Sequence, residues 1–257
     1  MNQERKLSVI TITYNDFEGL KKTLDSLAHQ DAIESIVING GACEKTKHYL
    51  DQHFGKVVNE RDEGIADAFN KGLKHATGGA ISFLNSGDAL LDRSYYSKAM
   101  AILLNNQEVG LVHSDLLFQD IIAGPILLRH QDISLGRGQP FLHPTMVVRS
   151  SIFRIVGTFN TKYKIAMDYD HIVRMTKGGV KAWHLPGPVV AMDGTGTSSN
   201  KEWAGIMECL RSLKEHDMLG PQNIWGAVCR VLYYLGRKSL QKVGATTILR
   251  LLRRQVP

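Results

Sequence analysis

An α/β chain with a mostly parallel central sheet flanked by helices is the fold class that three observations predict. Short β-branched apolar runs alternate with amphipathic helical stretches through the first part of the chain, which is the pattern of repeated strand–helix units. The runs are nearly continuous in apolar residues, as expected for strands covered on both faces. Several of them stop at a polar cluster: Tyr14-Asn15-Asp16, Asn39-Gly40-Gly41 and Asn85-Ser86-Gly87-Asp88.

Leu7–Thr13 (LSVITIT) reads as the first strand, and residues 17–30 follow with Leu20, Leu24 and Leu27 at helical spacing. Residues 34–39 (ESIVIN) give a second strand closed by Gly40-Gly41, residues 44–54 a polar helix, and residues 56–59 a third, short strand. Over 64–76, Ile65, Ala68, Phe69, Gly72 and Leu73 share one stripe, Gly78-Gly79 stops the helix, and 80–84 is a fourth strand running into Asn-Ser-Gly-Asp. The second half is less regular. Residues 109–118 and 121–129 read as strands paired around Gln119-Asp120, 143–148 (HPTMVV) as another strand, and 150–156 as a helix. Helical spacing returns at 168–177, short strands are expected at 180–183 and 188–192, and 193–199 (DGTGTSS) has the composition of a loop able to close on a ligand.

At 257 residues and 43% hydrophobic content the chain has enough apolar material for a large core. Cys43, Cys209 and Cys229 have neither metal-type nor redox-type spacing, so neither a zinc site nor a disulfide framework is indicated and a reducing compartment is expected. With no h-region in the first ten residues and no run of about 18 apolar residues, the chain is expected in the cytoplasm. Charge is uneven. From Met218 onward there is no Asp or Glu but seven Arg or Lys, so removing seven from the net +6 leaves −1 for the preceding residues. Ile224, Val228, Val231 and Leu235, and then Ile248, Leu251 and Leu252, recur at helical spacing among these charges. The expected organisation is a main α/β domain over 1–205 and a basic helical extension over 206–257. That extension suits the inner face of an anionic membrane; a helix packed on the domain and a nucleic-acid patch are the competing readings.

Ligands of open α/β sheets collect beyond the carboxyl ends of the strands, where all three polar clusters fall. A carboxylate there, Asp88, suits a hard divalent cation bound together with substrate phosphates. Asp168 and Asp170 are two apart and cannot share a helical face, and either can cap the helix that begins beside them. His143 and His184 lie in strand-like runs and read first as buried structural residues.

The ordered blocks SVITITYND, SIVINGG, ERDEGIADAFNKGLKHATGGAISFLNSGD and HPTMVVRSSIFRIVGTFNTKYKIAMDYDHIVRM resemble the family-2 glycosyltransferases with the GT-A (Rossmann-like) fold over about residues 6–199. The middle block is most similar to bacterial exopolysaccharide enzymes of the colanic-acid type, through Asp62, Gly64, Ile65, Asp67, Ala68, Asn70, Lys71 and Gly72 followed by Phe83, Leu84, Asn85, Gly87 and Asp88. The resemblance implies an inverting, Mg2+- or Mn2+-dependent hexosyl transfer from a nucleoside-diphosphate sugar to a lipid-linked or polysaccharide acceptor. It assigns Thr13, Tyr14, Asn15 and Asn39 to the nucleotide side, Asp62, Asp67, Asn70, Asn85 and Ser86 to the donor pocket, Asp88 to the metal and Asp168 to the catalytic base. For Asp67 and Asn70 the alternative is stabilisation of their own loop. Asn39, Gly87 and Met167 stand where the family carries acidic residues. These departures motivate a rival class, a non-catalytic nucleotide- or glycan-binding module; a nucleotidyltransferase is a third.

Overall fold

The computed structural model describes residues 3–28, 30, 33–52, 55–120, 124–194 and 201–242. Among them, nine strands form one mixed sheet in the order β3-β2-β1-β4-β8-β6-β9-β5, with β7 paired to β6. Its first half is the parallel one the alternation predicts. Strand β1 (Leu7–Thr13) lies between β2 (Ile33–Asn39) and β4 (Ala80–Phe83), and β3 (Lys56–Asn59) extends β2. The register sets Thr13 level with Asn39 and Asn39 level with Asn59. Past the last paired residues, Gly40 N–H donates to the Thr13 carbonyl (3.1 Å) and Ser86 N–H to the Ile12 carbonyl (3.1 Å). The polar ends of β1, β2 and β4 are thus held along one rim.

Helices α1 (Phe17–Leu27), α2 (Glu44–Leu50) and α3 (Ile65–His75) connect these strands. The Asp16 side chain caps α1 by accepting from Gly19 N–H, and Leu20, Thr23, Leu24 and Leu27 form the buried stripe. The helix stops at Leu27 because Ala28 turns to an extended conformation. Helix α3 lies directly on β1: a Cβ at Gly72 would stand 2.4 Å from Ile10 Cγ2, so only glycine permits that approach. Along β1, Val9 faces one apolar cluster and Ile10 another, so both faces of the sheet are covered.

In the second half β5 (Ala89–Leu90) leads to α4 (Tyr95–Asn105), β6 (Val109–Asp120) and β7 (Gly124–Leu128); the last two form the expected antiparallel pair, but Gln119 and Asp120 are not its turn, because they belong to β6 and pair with Pro125 and Gly124. The expected strand over 143–148 is replaced by a 3-10 turn at His143–Thr145 followed by β8 (Val147–Arg149). Pro144 supplies no ladder N–H and fixes φ, and Thr145 Oγ1 pins the turn to β6 by accepting from Ser114 N–H (3.1 Å). The two short strands expected at 180–183 and 188–192 are one strand, β9 (Lys181–Asp193). It bulges where Ser114 pairs Leu185 and Asp115 pairs Pro188, with Gly187 at φ +112°. The Ser114 hydroxyl is shared by the bulge carbonyls of Leu185 (2.5 Å) and Gly187 (2.6 Å).

Helices α5 (Ser150–Val156), α6 (Met167–Lys177), α7 (Glu202–Glu215) and α8 (Pro221–Lys242) complete the described chain. The expected division between residues 205 and 206 falls inside α7, whose Cys209 and Leu213 belong to the main core. Buried Asp170 of α6 accepts from Ser212 (3.0 Å), contacts His216 Nε2 (2.9 Å) and pairs with Arg174, tying α6 to α7. Helix α8 packs by Gly226 and Ala227 and exposes Ile224, Trp225, Val228, Leu232 and Leu235. The apolar repeat at Ile248, Leu251 and Leu252 lies outside the described residues, as do residues 195–199 of the Gly/Ser/Thr-rich loop.

Candidate active site

The rim of β1 and β4 opens on a cavity of about 490 Å3. Its first-half wall includes Thr13, Tyr14 and Asp62 together with Asn85, Ser86 and Asp88; across from them stand His143, Met167 and Asp168, with Asp193 at the end of β9. Asp88 and Asp168, far apart in the chain, therefore border one space.

Asp88 reaches that space through a tight turn. Gly87 takes φ +95°, and a Cβ there would stand 3.3 Å from Asp193 Cβ, so glycine lets β4 and β9 converge. The turn is fixed from behind: Thr23 Oγ1 donates to the Asp88 carbonyl (2.7 Å) and Lys22 Nζ to the Gly87 carbonyl (2.6 Å). The Asp88 side chain is 4% exposed and accepts from Asp193 N–H (3.1 Å). Burial pushes its carboxyl up to about 7, against the lowering effect of the backbone N–H donors and of Lys22, while the Asp193 charge raises it further.

A buried carboxylate held this way fits a divalent cation. Asn85 Oδ1, on the same cavity wall, is buried with no hydrogen-bond partner among the described residues, an oxygen of the kind a hard cation accepts. Among the described residues no three acidic, histidine or cysteine side chains converge into a closed cage. A cation at Asp88 would consequently take further oxygens from substrate and water.

Opposite, Asp168 lies in the first turn of α6. Its Oδ1 accepts from Tyr169 N–H (2.7 Å) and its Oδ2 from Gln139 Nε2 (2.9 Å). The α6 N-terminus is anchored by Glu208 of α7, whose carboxylate accepts from the N–H groups of Lys164 (3.0 Å), Ile165 (2.9 Å) and Ala166 (2.8 Å). His143 stacks against Phe69 and Phe83 (5.4 Å each), and burial lowers its pKa even though Asp168 raises it. Asp170 faces the core instead, so the two acids of this helix have separate surroundings.

The other residues singled out in the sequence divide by position. Tyr14 is 69% exposed at the cavity mouth, presenting a ring for a flat ligand to stack on. Asp62 packs on Gly40, where a Cβ would meet its Oδ2 at 1.7 Å, and accepts from Gly64 N–H (3.0 Å). Ser86 donates to Asp16 Oδ2 (2.7 Å). Asn15, Asn39, Asp67 and Asn70 do not border this cavity. Asn15 Oδ1 accepts from Ala42 and Cys43 N–H (3.0 and 3.1 Å), and buried Asn39 bonds Asn59 and Gly41 N–H. Asp67 accepts from Glu63 N–H and pairs with Lys71. Asn70 makes a two-point bond to the backbone of Phe159, donating to its carbonyl (2.8 Å) and accepting from its N–H (2.9 Å). His184 stands apart, bonded to Asp115 (2.9 Å).

From sequence, Asp16 stood only as part of a polar cluster and Asp193 only as the first residue of a loop, while Gln139 and Glu208 were not singled out. Asp193 carried the signal that singled out Asp88, an acid closing an apolar run; Gln139 and Glu208 gave none, since only tertiary packing brings them to α6.

Residues 8–114 match the profile of glycosyl transferase family 2. An uncharacterized glycosyltransferase of Mycobacterium tuberculosis is 29% identical over 223 residues, spanning 83% of this chain and 84% of that protein. A PGL/p-HBAD biosynthesis glycosyltransferase of Mycobacterium bovis is 24% identical over 185 residues, 65% of this chain and 68% of that one. Among solved structures, S. aureus TarS 1-349 in complex with UDP-GlcNAc superposes with a TM-score of 0.67 at 16% identity, over 88% of this chain and 71% of that one. The mannosyltransferase PcManGT from Pyrobaculum calidifontis in complex with GDP-Man and Mn2+ gives 0.62 at 18% identity, over 96% and 81%. At these identities the structural likeness speaks to the fold.

Proposed function

We propose that this chain, a member of glycosyl transferase family 2 with the GT-A fold, moves a hexose with inversion from a nucleoside-diphosphate sugar to a lipid-linked or polysaccharide acceptor. The observation that carries the reading is the single cavity bordered by both Asp88 and Asp168. Asp168 is the base: it takes the proton of the acceptor hydroxyl as that oxygen attacks the anomeric carbon from the face opposite the diphosphate. A single displacement of this kind inverts the anomeric centre. The Gln139 amide and Tyr169 N–H fix the carboxylate for that transfer. Asp88, with Asn85 Oδ1, would hold a divalent cation, which would supply Lewis-acid stabilisation to the departing diphosphate. Tyr14 and Asp62 hold the nucleotide side.

The solved mannosyltransferase with GDP-Man and Mn2+ and TarS with UDP-GlcNAc support a nucleoside-diphosphate donor, the former also a cation. The exposed apolar face of α8 and the wholly basic charge of the chain beyond Met218 support work at an anionic membrane surface. Among the described residues no helix is long and apolar enough to cross a membrane. The test is a panel of UDP-, GDP- and dTDP-sugars with and without Mn2+, read by nucleotide release, sugar transfer and product stereochemistry. Transfer with inversion is expected from one donor class. Pyrophosphate as product would mean nucleotidyl transfer, and nucleotide binding without turnover would favour the non-catalytic module.

A further inference from the structure

A second cavity of about 260 Å3 adjoins the first, and Asp168, His143, Pro144, Ile165 and Met192 border both. Its remaining wall is mainly apolar, from Leu116, Phe118, Leu128 and Leu142. One cation stands in it: Arg230 of α8, half-buried beside Cys209. Among the described residues Arg230 makes no ion pair with Asp168 or Glu202, the acids of this cavity; Glu202 is held by Arg237. Among the described residues this half-buried guanidinium, hydrogen-bonded to Cys209, pairs with no carboxylate, so its charge is available to an anionic ligand. The position of Arg230 on α8 adds a direction. It falls on the packed face with Asn223, Ala227 and Arg237, whereas Ile224, Trp225, Val228, Leu232 and Leu235 line the opposite, exposed face.

We propose that this second cavity is the acceptor pocket and that its ligand is an amphiphile joining an apolar chain to an anionic phosphate group. Arg230 takes the phosphate, the leucine-lined wall takes the first part of the chain, and the rest of the chain leaves toward the apolar face of α8. The inference rests on Asp168 being the base of the proposed transfer, because among the residues bordering both cavities it is the one carboxylate.

The test titrates the full chain with octyl phosphate, 1-octanol and inorganic phosphate by calorimetry, and measures nucleoside diphosphate binding on the same samples. Octyl phosphate is expected to bind more tightly than either of its halves. Arg230→Gln should weaken octyl phosphate by about ten-fold or more, the worth of a charge-assisted hydrogen bond, and leave 1-octanol nearly unchanged. Leu142→Trp should fill the pocket and remove octyl phosphate binding; if that variant does not fold, Arg230→Gln decides. Inorganic phosphate binding as tightly as octyl phosphate would reduce the site to a free-anion site and overturn the proposal. So would 1-octanol matching octyl phosphate, or loss of binding in Leu232→Ser but not in Leu142→Trp, which would put the ligand on the outer face of α8. Nucleotide binding without octyl phosphate binding refutes the acceptor pocket alone; absence of nucleotide binding refutes the transferase reading beneath it.

Discussion

Replacing Asp88 by Asn should stabilise the cation-free protein at alkaline pH while removing its response to cations. Burial holds the Asp88 carboxyl at about 7 in the folded chain against an ordinary value of 3.8. A proton affinity raised on folding adds stability that is complete below the unfolded value and is lost as pH rises through the folded one. The loss for Asp88 therefore runs from about pH 4 to somewhat above 7, and the gap between the two values corresponds to at most about 4 kcal/mol. Asn carries no charge to bury and escapes the loss. In a chain of this size 1 kcal/mol moves the midpoint by roughly 2–4 °C, so the melting temperature of Asp88→Asn relative to wild type should climb by several degrees between pH 5 and pH 8.5 in chelator. Using that difference cancels the other titrating groups common to both proteins. Adding Mn2+ at pH 8 should narrow that difference, since ligand at one hundred times its dissociation constant contributes about 2.7 kcal/mol to the wild type and the variant lacks the carboxylate to bind it. A difference that stays constant from pH 5 to 8.5, or equal Mn2+ stabilisation of both proteins, refutes the reasoning.

Asp168→Asn should lower kcat by about 10²–10⁴-fold, the usual contribution of a positioned base, with nucleotide affinity retained; single-turnover assays beside nucleotide titration check it, and retained turnover removes Asp168 from the chemistry. Asn70→Ala breaks both bonds to the Phe159 backbone and should cost about 1–3 kcal/mol in urea unfolding; a donor-binding role would instead appear as weakened nucleotide binding at unchanged stability. Trp225→Ser with Leu232→Ser should reduce sedimentation with anionic vesicles at low salt, with the melting temperature little changed because both side chains are exposed; unchanged sedimentation would exclude the α8 face as the contact.

The first half of the fold was legible because local and global preferences agree there. β-branched strands and the leucine stripe of α1 each specify their element without help from distant residues. The second half depends on pairings between distant segments. HPTMVV has strand-like composition, yet Pro144 and the Thr145 bond to Ser114 bend its first residues into a turn, and the β9 bulge looks from local sequence like a break between two strands. Asp88 and Asp168 stood out as acids at element ends, whereas their common cavity arises from β8 entering antiparallel beside β4, which nothing near either acid announces. Asn15, Asn39, Asp67 and Asn70 show the opposite limit. Their polar chemistry was evident, but the partners that Asn39 finds in Asn59 and Asn70 in the Phe159 backbone come from distant segments that local sequence does not indicate.

The three amides gathered by Glu208 make the far end of the chain answerable for the geometry at its centre. A shortened protein ending near residue 205 would keep every acid of the donor cavity, yet it would release the segment from Lys164 to Ala166 from its anchor and strip Asp170 of its Ser212 and His216 contacts. Such a truncation would retain a nucleotide cleft while misaiming Asp168, so weak turnover from it would report a lost hinge-pin rather than a defective reaction centre.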